Sequence, residues 1–288
     1  NPRHLLSSAD LSASETAYLL DIAGKLKRRP QEVLKGKHLA LLFEKASLRT
    51  RVSFEVAMDK LGAFTMYLDP REVGLGEREA IRDVSRVLAR YVDIVAVRTY
   101  GQVIVEEYAR FSSIPVINAL TDEEHPCQAL ADLLTLKEKF GELRGRSLAF
   151  VGDGNNVATS LVVTAAALGM DVRVAAGGGK FVSVVDPAEA VAGAEALYTD
   201  VWTSMGQERE AERRRIDFAD YQLNSALVAK AASGAFIMHD LPAHRGEEIT
   251  DEVFESPHAI IFDQAENRVW AQAAVAAFLL GADGQVEG

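Results

Sequence analysis

Short apolar runs of strand length alternate with amphipathic segments of helix length along most of this chain, and that alternation limits its fold more than any other feature. The spacing predicts strands over residues 38–43, 64–68, 93–98, 115–118, 147–151 and 172–175. Helices are predicted over 50–61, 80–91, 103–111, 126–140 and 156–168, the first with Phe54, Ala57, Met58 and Leu61 on one face. Ser12 followed by Glu15 is a capping box, and it opens an earlier helix that ends before Pro30. Elements in this order build parallel sheets with helices on both faces. Two runs of the pattern, joined through the helix around residues 130–139, predict an α/β protein of two doubly wound domains, 1–135 and 136–264. The last helix, 265–280, is long enough to return to the first domain, so residues 265–288 are assigned there. One place breaks the rhythm. Gly177, Gly178 and Gly179 stand where a βαβ unit needs its crossover, and the stretch from Val174 to Phe181 is too short for a helix. The sequence therefore predicts either a missing crossover helix or a lost or replaced segment.

Composition bounds the partners. At 288 residues the chain is long for one core and sufficient for two. A formal net charge of −11 opposes nucleic acid and anionic membranes, which favour a basic surface. An acidic protein that handles a phosphate must gather its Arg and His locally. The single cysteine, Cys127, leaves no intrachain disulfide and no multi-cysteine metal site, which suits a reducing cytoplasm. No apolar run approaches the roughly 20 residues of a membrane helix. The expectation is a cytoplasmic protein with no nucleic-acid or membrane partner.

Six short motifs could carry chemistry. Ser47-Leu48-Arg49-Thr50-Arg51 lies between a predicted strand and a helix, where backbone N–H groups, hydroxyls and a guanidinium make an anion site. It also reads as a turn capped by Ser47 with solvated arginines. It lacks the spaced glycines and the Lys of a P-loop, so a nucleoside triphosphate is not implied. His125-Pro126-Cys127-Gln128 opens a helix, and a His and a Gln within one turn can serve a carbonyl oxygen and an amide. The alternative there is a capping or packed histidine. No base partner is evident for Cys127, so it reads as a packed thiol. Gly152-Asp153-Gly154-Asn155-Asn156 begins like a dinucleotide fingerprint, but Val157 occupies the third glycine position and no acid ends the next strand. The asparagines suit a small polar ligand better. Asp200, followed by Ser204-Met205-Gly206, suits an α-ammonium, or else a charged loop entering an Arg-rich helix. His239-Asp240-Leu241-Pro242 ends another strand, and Glu266-Asn267-Arg268 opens the final helix, where Arg268 also reads as one half of a buried pair.

Taken in order along the chain, these motifs resemble the ornithine carbamoyltransferase family. The likeness rests on the segment from Phe43-Glu44-Lys45 through Arg51, on His125-Pro126-Cys127-Gln128, on Asp200 with Ser204-Met205-Gly206, on His239 with Leu241-Pro242, and on Glu266-Asn267-Arg268. It spans residues 5–280. The first two motifs are shared with aspartate carbamoyltransferases, whereas the Ser-Met-Gly loop points to ornithine. The resemblance implies that Ser47, Leu48, Arg49, Thr50, Arg98, His125, Gln128, Leu241 and Arg268 hold carbamoyl phosphate. It places Arg49, Arg98, His125, Gln128, Asp240 and Arg268 in catalysis, and Asn156, Asp200, Ser204 and Met205 on ornithine. The implied reaction forms L-citrulline and phosphate, in arginine biosynthesis or the arginine deiminase route. The family further implies a homotrimer, or a multiple of trimers, with sites at subunit boundaries and neither a metal nor an organic cofactor.

Three positions depart from the family pattern. Leu48 stands where many members have Thr, Gly74 where many offer a polar side chain to the neighbouring subunit, and Asp240 where the family has Cys. A carboxylate at 240 can take the amine's proton as a base, or it can pair with the ammonium and hold it protonated. Two other readings follow. One is a carbamoyltransferase for putrescine, lysine or an acylated ornithine, and the other is a variant that binds carbamoyl phosphate with impaired transfer. A nicotinamide-dependent dehydrogenase is disfavoured by the broken fingerprint.

Overall fold

A strand that is apolar on both faces must be covered on both, which is the condition of a central parallel strand. In the computed structural model of the chain, which describes residues 2–76, 78–179, 186–203 and 208–288, two compact units are built around such strands. One comprises residues 1–134 with 266–288, and the other residues 135–265.

In the first unit α1 (Ala13–Arg28) opens with the capping box that the sequence predicts: Ser12 accepts from the Glu15 N–H, and the Glu15 carboxylate accepts from the Ser12 N–H at 2.9 Å. There follow β1 (His38–Phe43), α2 (Leu48–Lys60), β2 (Phe64–Leu68), α3 (Pro70–Val73) and α4 (Ile81–Leu88). The unit continues with β3 (Ile94–Arg98), α5 (Gln102–Phe111), β4 (Val116–Leu120) and the start of α6 (Pro126–Phe140). The strands are parallel in the order β2-β1-β3-β4. All of β3, and all of β1 after His38, is buried. Val84 of α4 and Val105 and Tyr108 of α5 pack on Ala40, Leu42, Val95 and Val97 of these strands.

The second unit repeats the plan with β5 (Ser147–Gly154), α7 (Asn156–Ala167), β6 (Asp171–Gly179), α8 (Pro187–Val191) and β7 (Ala196–Thr199). After these come α9 (Ala211–Asp217), α10 (Ser225–Val228), β8 (Phe236–His239) and α11 (Asp251–Phe254). Its parallel order is β6-β5-β7-β8. Ala149, Val151, Leu197 and Ile237 of the strands meet Ile249, Val253 and Phe254 in one core. The last helix, α12 (Ile261–Leu279), enters the first unit at Glu266. There Lys27 of α1 donates to Asn267 at 2.8 Å, and Phe278 meets Tyr18 edge-on with ring centroids 6.5 Å apart. The architecture is the α/β pair of parallel sheets that the alternation predicts.

At the glycine run the strand extends beyond the 172–175 that the sequence predicts. The apolar pattern fades at Ala176, yet backbone pairing carries β6 on to Gly179, opposite Gly154. Glycine leaves no side-chain pattern to read, so a strand can outlast its signal. The return to β7 then uses residues 180–195, which include α8, N-capped by Asp186. Among the described residues of this connection only the five-residue α8 is helical, and residues 180–185 lie outside the described set.

Candidate active site

In open parallel sheets, ligands bind beyond the carboxyl ends of the strands, where the strand order reverses. The first sheet reverses between β1 and β3. Ser47 caps α2 just past β1, its hydroxyl accepting from the Thr50 N–H at 3.3 Å, so capping and an exposed helix N-terminus occur together. Thr50 is buried, and two guanidiniums reach its hydroxyl: Arg268 Nη2 donates at 2.6 Å and Arg98 Nη1 at 3.5 Å. Arg98 ends β3 and Arg268 comes from α12, and both are buried. Two like charges drawn to one neutral hydroxyl favour an anion beside them.

His125, just before α6, is buried, and its ring is held well below the usual histidine pKa, first by burial and then by Arg268 and Arg98. It is neutral at neutral pH and can donate to a carbonyl without carrying charge. Gln128, one turn on, donates Nε2 to Asp132 at 2.8 Å, and its buried Oε1 has no partner among the described residues. That oxygen can accept from an amide. Burial pushes the thiol of the intervening Cys127 up to about 12, which removes it as a nucleophile. Arg49 is half-buried and Leu48 exposed.

The second sheet reverses between β5 and β7. Gly152 has φ +147°, and a Cβ there would meet Thr199 Oγ1 at 3.4 Å and the Asp200 carbonyl oxygen at 3.7 Å. A glycine therefore lets the two strand ends close together, with no dinucleotide needed to explain it. Asn155 caps α7, accepting from Val157 N–H at 3.0 Å and Ala158 N–H at 3.1 Å, and donates Nδ2 to Asp200 at 2.5 Å. Asp200 is buried and also accepts from the Val201 N–H at 2.7 Å.

At the end of β8, His239 Nδ1 accepts from the Leu241 N–H at 2.9 Å, so the ring presents Nε2–H to Glu248, 2.9 Å away. Both side chains are fully buried, and Glu248 also accepts from the His244 N–H at 2.6 Å. Leu241 takes φ +64°, and the bond to Pro242 is cis. Asp240 lies 3.6 Å from His239 Nδ1, and one donor atom each of Asp200, His239 and Asp240 lie within 4.8 Å of one another. Two carboxylates so close suit a cationic ligand group. The same trio has the donor types for a metal, as do His244, Glu247 and Glu248, but both His239 nitrogens are already engaged. A cleft in the second unit, lined by Ser225, Glu252, Ser256 and His258 among others at the start of β8, includes none of the motif residues.

Of the residues singled out by sequence, the fold brings Thr50, Arg98 and Arg268 into contact, and Asp200 close to Asp240. Asn156 turns its oxygen to the Val157 N–H at 3.0 Å, whereas its neighbour Asn155 reaches Asp200. Ser204 and Met205 lie outside the described residues. The sequence offers Asn155 together with Asn156 for a small polar ligand, but assigns no role to Asp153, Arg214 or Glu248. Asn155 and Asp153 sit inside a flagged motif, but no local pattern marks Glu248 or Arg214.

Two guanidiniums converging on Thr50 beside a neutral histidine, and two carboxylates close together beyond β7 and β8, are suited to a group transferase with an anionic donor and a cationic acceptor. Comparison with known proteins makes this specific. Residues 3–138 match the carbamoyl-phosphate-binding domain of the aspartate/ornithine carbamoyltransferases, and residues 175–279 match their aspartate/ornithine-binding domain. The chain belongs to that family. It is 52% identical to an ornithine carbamoyltransferase of Gloeobacter violaceus, over 96% of this chain and 95% of that one. One from Methanoculleus marisnigri is 48% identical over 95% of each chain. The solved ornithine carbamoyltransferase of Pyrococcus furiosus superposes with a TM-score of 0.93 at 46% identity, covering 97% of both chains.

Proposed function

We propose that the chain transfers the carbamoyl group of carbamoyl phosphate to the side-chain amine of L-ornithine, giving L-citrulline and phosphate. The observation that carries this reading is the convergence of Arg98 and Arg268 on Thr50 beside an uncharged His125. On this reading Ser47, Leu48 (through its backbone), Arg49, Thr50, Arg98 and Arg268 bind the phosphate end. His125 donates to the carbonyl oxygen, Gln128 Oε1 accepts from the carbamoyl amide, and the Leu241 backbone adds a further contact. Asp200, steadied by Asn155, holds the acceptor together with Asn156, Ser204 and Met205.

The amine's lone pair attacks the carbonyl carbon, and the C=O electrons move onto oxygen. That oxyanion then collapses, the bond to the phosphate oxygen breaks with its electron pair going to phosphate, and the proton left on the attacking nitrogen passes to the departing phosphate. Each donor preset for the oxyanion is typically worth about 3 kcal/mol, and holding the two substrates together supplies much of the rest. Asp240 is assigned to the reacting amine, and the support is its closeness to Asp200, the residue assigned to the acceptor. The carboxylate pair of Asp200 and Asp240 favours an acceptor with ammonium groups over an acylated one.

A trimer with sites completed by the neighbouring chain belongs to the same proposal. Its support is an apolar face: Phe64 and Met66 on the edge strand β2, and Val52 and Val56 on α2, are exposed in a single chain. A role in arginine metabolism belongs to the same proposal, as does a cytoplasmic location, for which the single cysteine, Cys127, is the support. Titration calorimetry with carbamoyl phosphate, paired with phosphate release across ornithine, putrescine, lysine and acetylornithine, tests the reading. Binding with no release on any amine would leave only a carbamoyl-phosphate-binding protein.

A further inference from the structure

Helix α9 is short and charged, and no residue of it is fully buried. One side chain departs from that character. Arg214 is 15% exposed at its side chain, against 85% for Arg213 and 55% for Arg215. Its guanidinium lies over the Phe218 ring at 5.1 Å, and Phe218 stacks on Trp202 with centroids 6.0 Å apart. From this position Nε donates to the Trp202 carbonyl and Nη2 to the Asp153 carboxylate. Trp202 follows Asp200 by two residues, and Asp153 precedes Asn155, the side chain that donates to Asp200, by two. The fork of Arg214 therefore ties together the two backbone segments that meet at the Asp200–Asn155 hydrogen bond.

We propose that Arg214 is a positioning residue for the acceptor site, clamping the Trp202 carbonyl to the Asp153 carboxylate so that Asp200 is held where the acceptor's ammonium meets it. This rests on the reading of Asp200 given above. A guanidinium is suited to the task because its planar fork can serve a carbonyl and a carboxylate at once, which an ammonium does poorly. Removing it also strands Asp153. That carboxylate is 4% exposed, its Oδ1 has no partner among the described residues, and Asp200 and Glu210 face it as like charges. Burial already raises its pKa, with Arg214 as the opposing influence. A stranded Asp153 has to protonate or move, and either disturbs the neighbouring Asn155 and Asp200.

The test compares Arg214→Met, Arg214→Lys and Asp153→Asn with the parent chain, each checked for folding by its thermal transition. In Arg214→Met the KM for L-ornithine should rise on the order of 10- to 100-fold, the size expected when a binding group is displaced by about 1 Å. Carbamoyl-phosphate affinity, read by calorimetry, should stay within about twofold, because none of its proposed ligands touches the clamp. Arg214→Lys should recover part of the loss, and Asp153→Asn should fall between parent and Met. Hydrogen exchange over residues 199–203 reads the clamp without any turnover, and it should speed up on the order of tenfold in Arg214→Met. A folded Met variant with parental KM and parental exchange would overturn the proposal, as would an equal loss of carbamoyl-phosphate affinity. If the parent does not carbamoylate ornithine, the functional reading fails on its own, and exchange over 199–203 still decides whether the clamp exists.

Discussion

Replacing Asp240 by Cys should make the enzyme faster near neutral pH. The δ-amine of ornithine resembles a Lys side chain, with a pKa of about 10.4 in water, and it must lose a proton before it attacks. Asp240 and Asp200 each place an atom within one group 4.8 Å across. An ammonium about 4 Å from the Asp240 carboxylate gains about 4 kcal/mol at an effective dielectric constant near 20, equivalent to roughly three pKa units. Asp240 is only partly buried, at 11% side-chain exposure, and Asp200 already supplies some of the stabilisation, so about one to two units is the realistic share. Each unit removes about tenfold of the reactive amine at a fixed pH below the pKa. Asp240→Cys should therefore raise kcat on the order of 10- to 100-fold near pH 7 and move the rising limb of the pH–rate profile down by about one to two units. Initial rates of citrulline formation between pH 6 and 10, at saturating carbamoyl phosphate, give both numbers. A Cys variant slower than the parent at every pH, with Asp240→Asn slowed as well, would show that Asp240 acts as the base.

Three further outcomes follow from the geometry. Arg49→Ala should abolish carbamoyl-phosphate binding measurable by calorimetry, since a charge-assisted phosphate contact is lost with no neighbour to replace it; near-parental affinity would remove the Ser47 to Arg51 segment from the cradle. In the proposed trimer Arg78, four residues after Gly74, is assigned to the neighbouring chain's phosphate site; mixing Arg49→Ala with Arg78→Ala chains should then restore activity by pairing two intact halves, and a fully active monomer in sedimentation would exclude shared sites. Hydrogen bonds from Arg3 and then from Ser12 hold the Glu15 carboxyl near a pKa of about 2. Its contribution is complete above its ordinary value of 4.5 and fades as pH falls toward 2. Glu15→Gln should accordingly lose less stability than the parent between those pH values in urea titrations, and equal losses would contradict the assignment.

Legibility differed between fold and site. The strand 38–43 begins and ends where its apolar run does, because burial on both faces leaves an unbroken signal, and the edge strand 64–68 also matches its apolar run although Phe64 and Met66 are exposed. β5 runs on through Gly154, past the last apolar residue at Val151. The predicted helix start at 156 already makes Asn155 the cap of α7, but its bond to Asp200, 45 positions along the chain, leaves no local signal. The contact between Arg268 and Thr50 spans 218 positions. No periodicity reveals such a contact, and only the order of the motifs pointed to it. Glu248 meets His239 from an irregular loop, and Arg214 turns inward from a helix whose flanking residues are charged and solvated. Long-range pairing and a single inward side chain leave no local pattern, so neither could be read from one sequence.

Transfer itself is measured most directly with 13C-labelled carbamoyl phosphate and L-ornithine, followed by NMR on the purified chain. The account predicts that the labelled carbonyl moves to the δ-nitrogen, with one citrulline formed for each phosphate released, and that Arg268→Ala suppresses both. Phosphate release without labelled citrulline, or saturable carbamoyl-phosphate binding with no transfer to ornithine at any pH between 6 and 10, would contradict it.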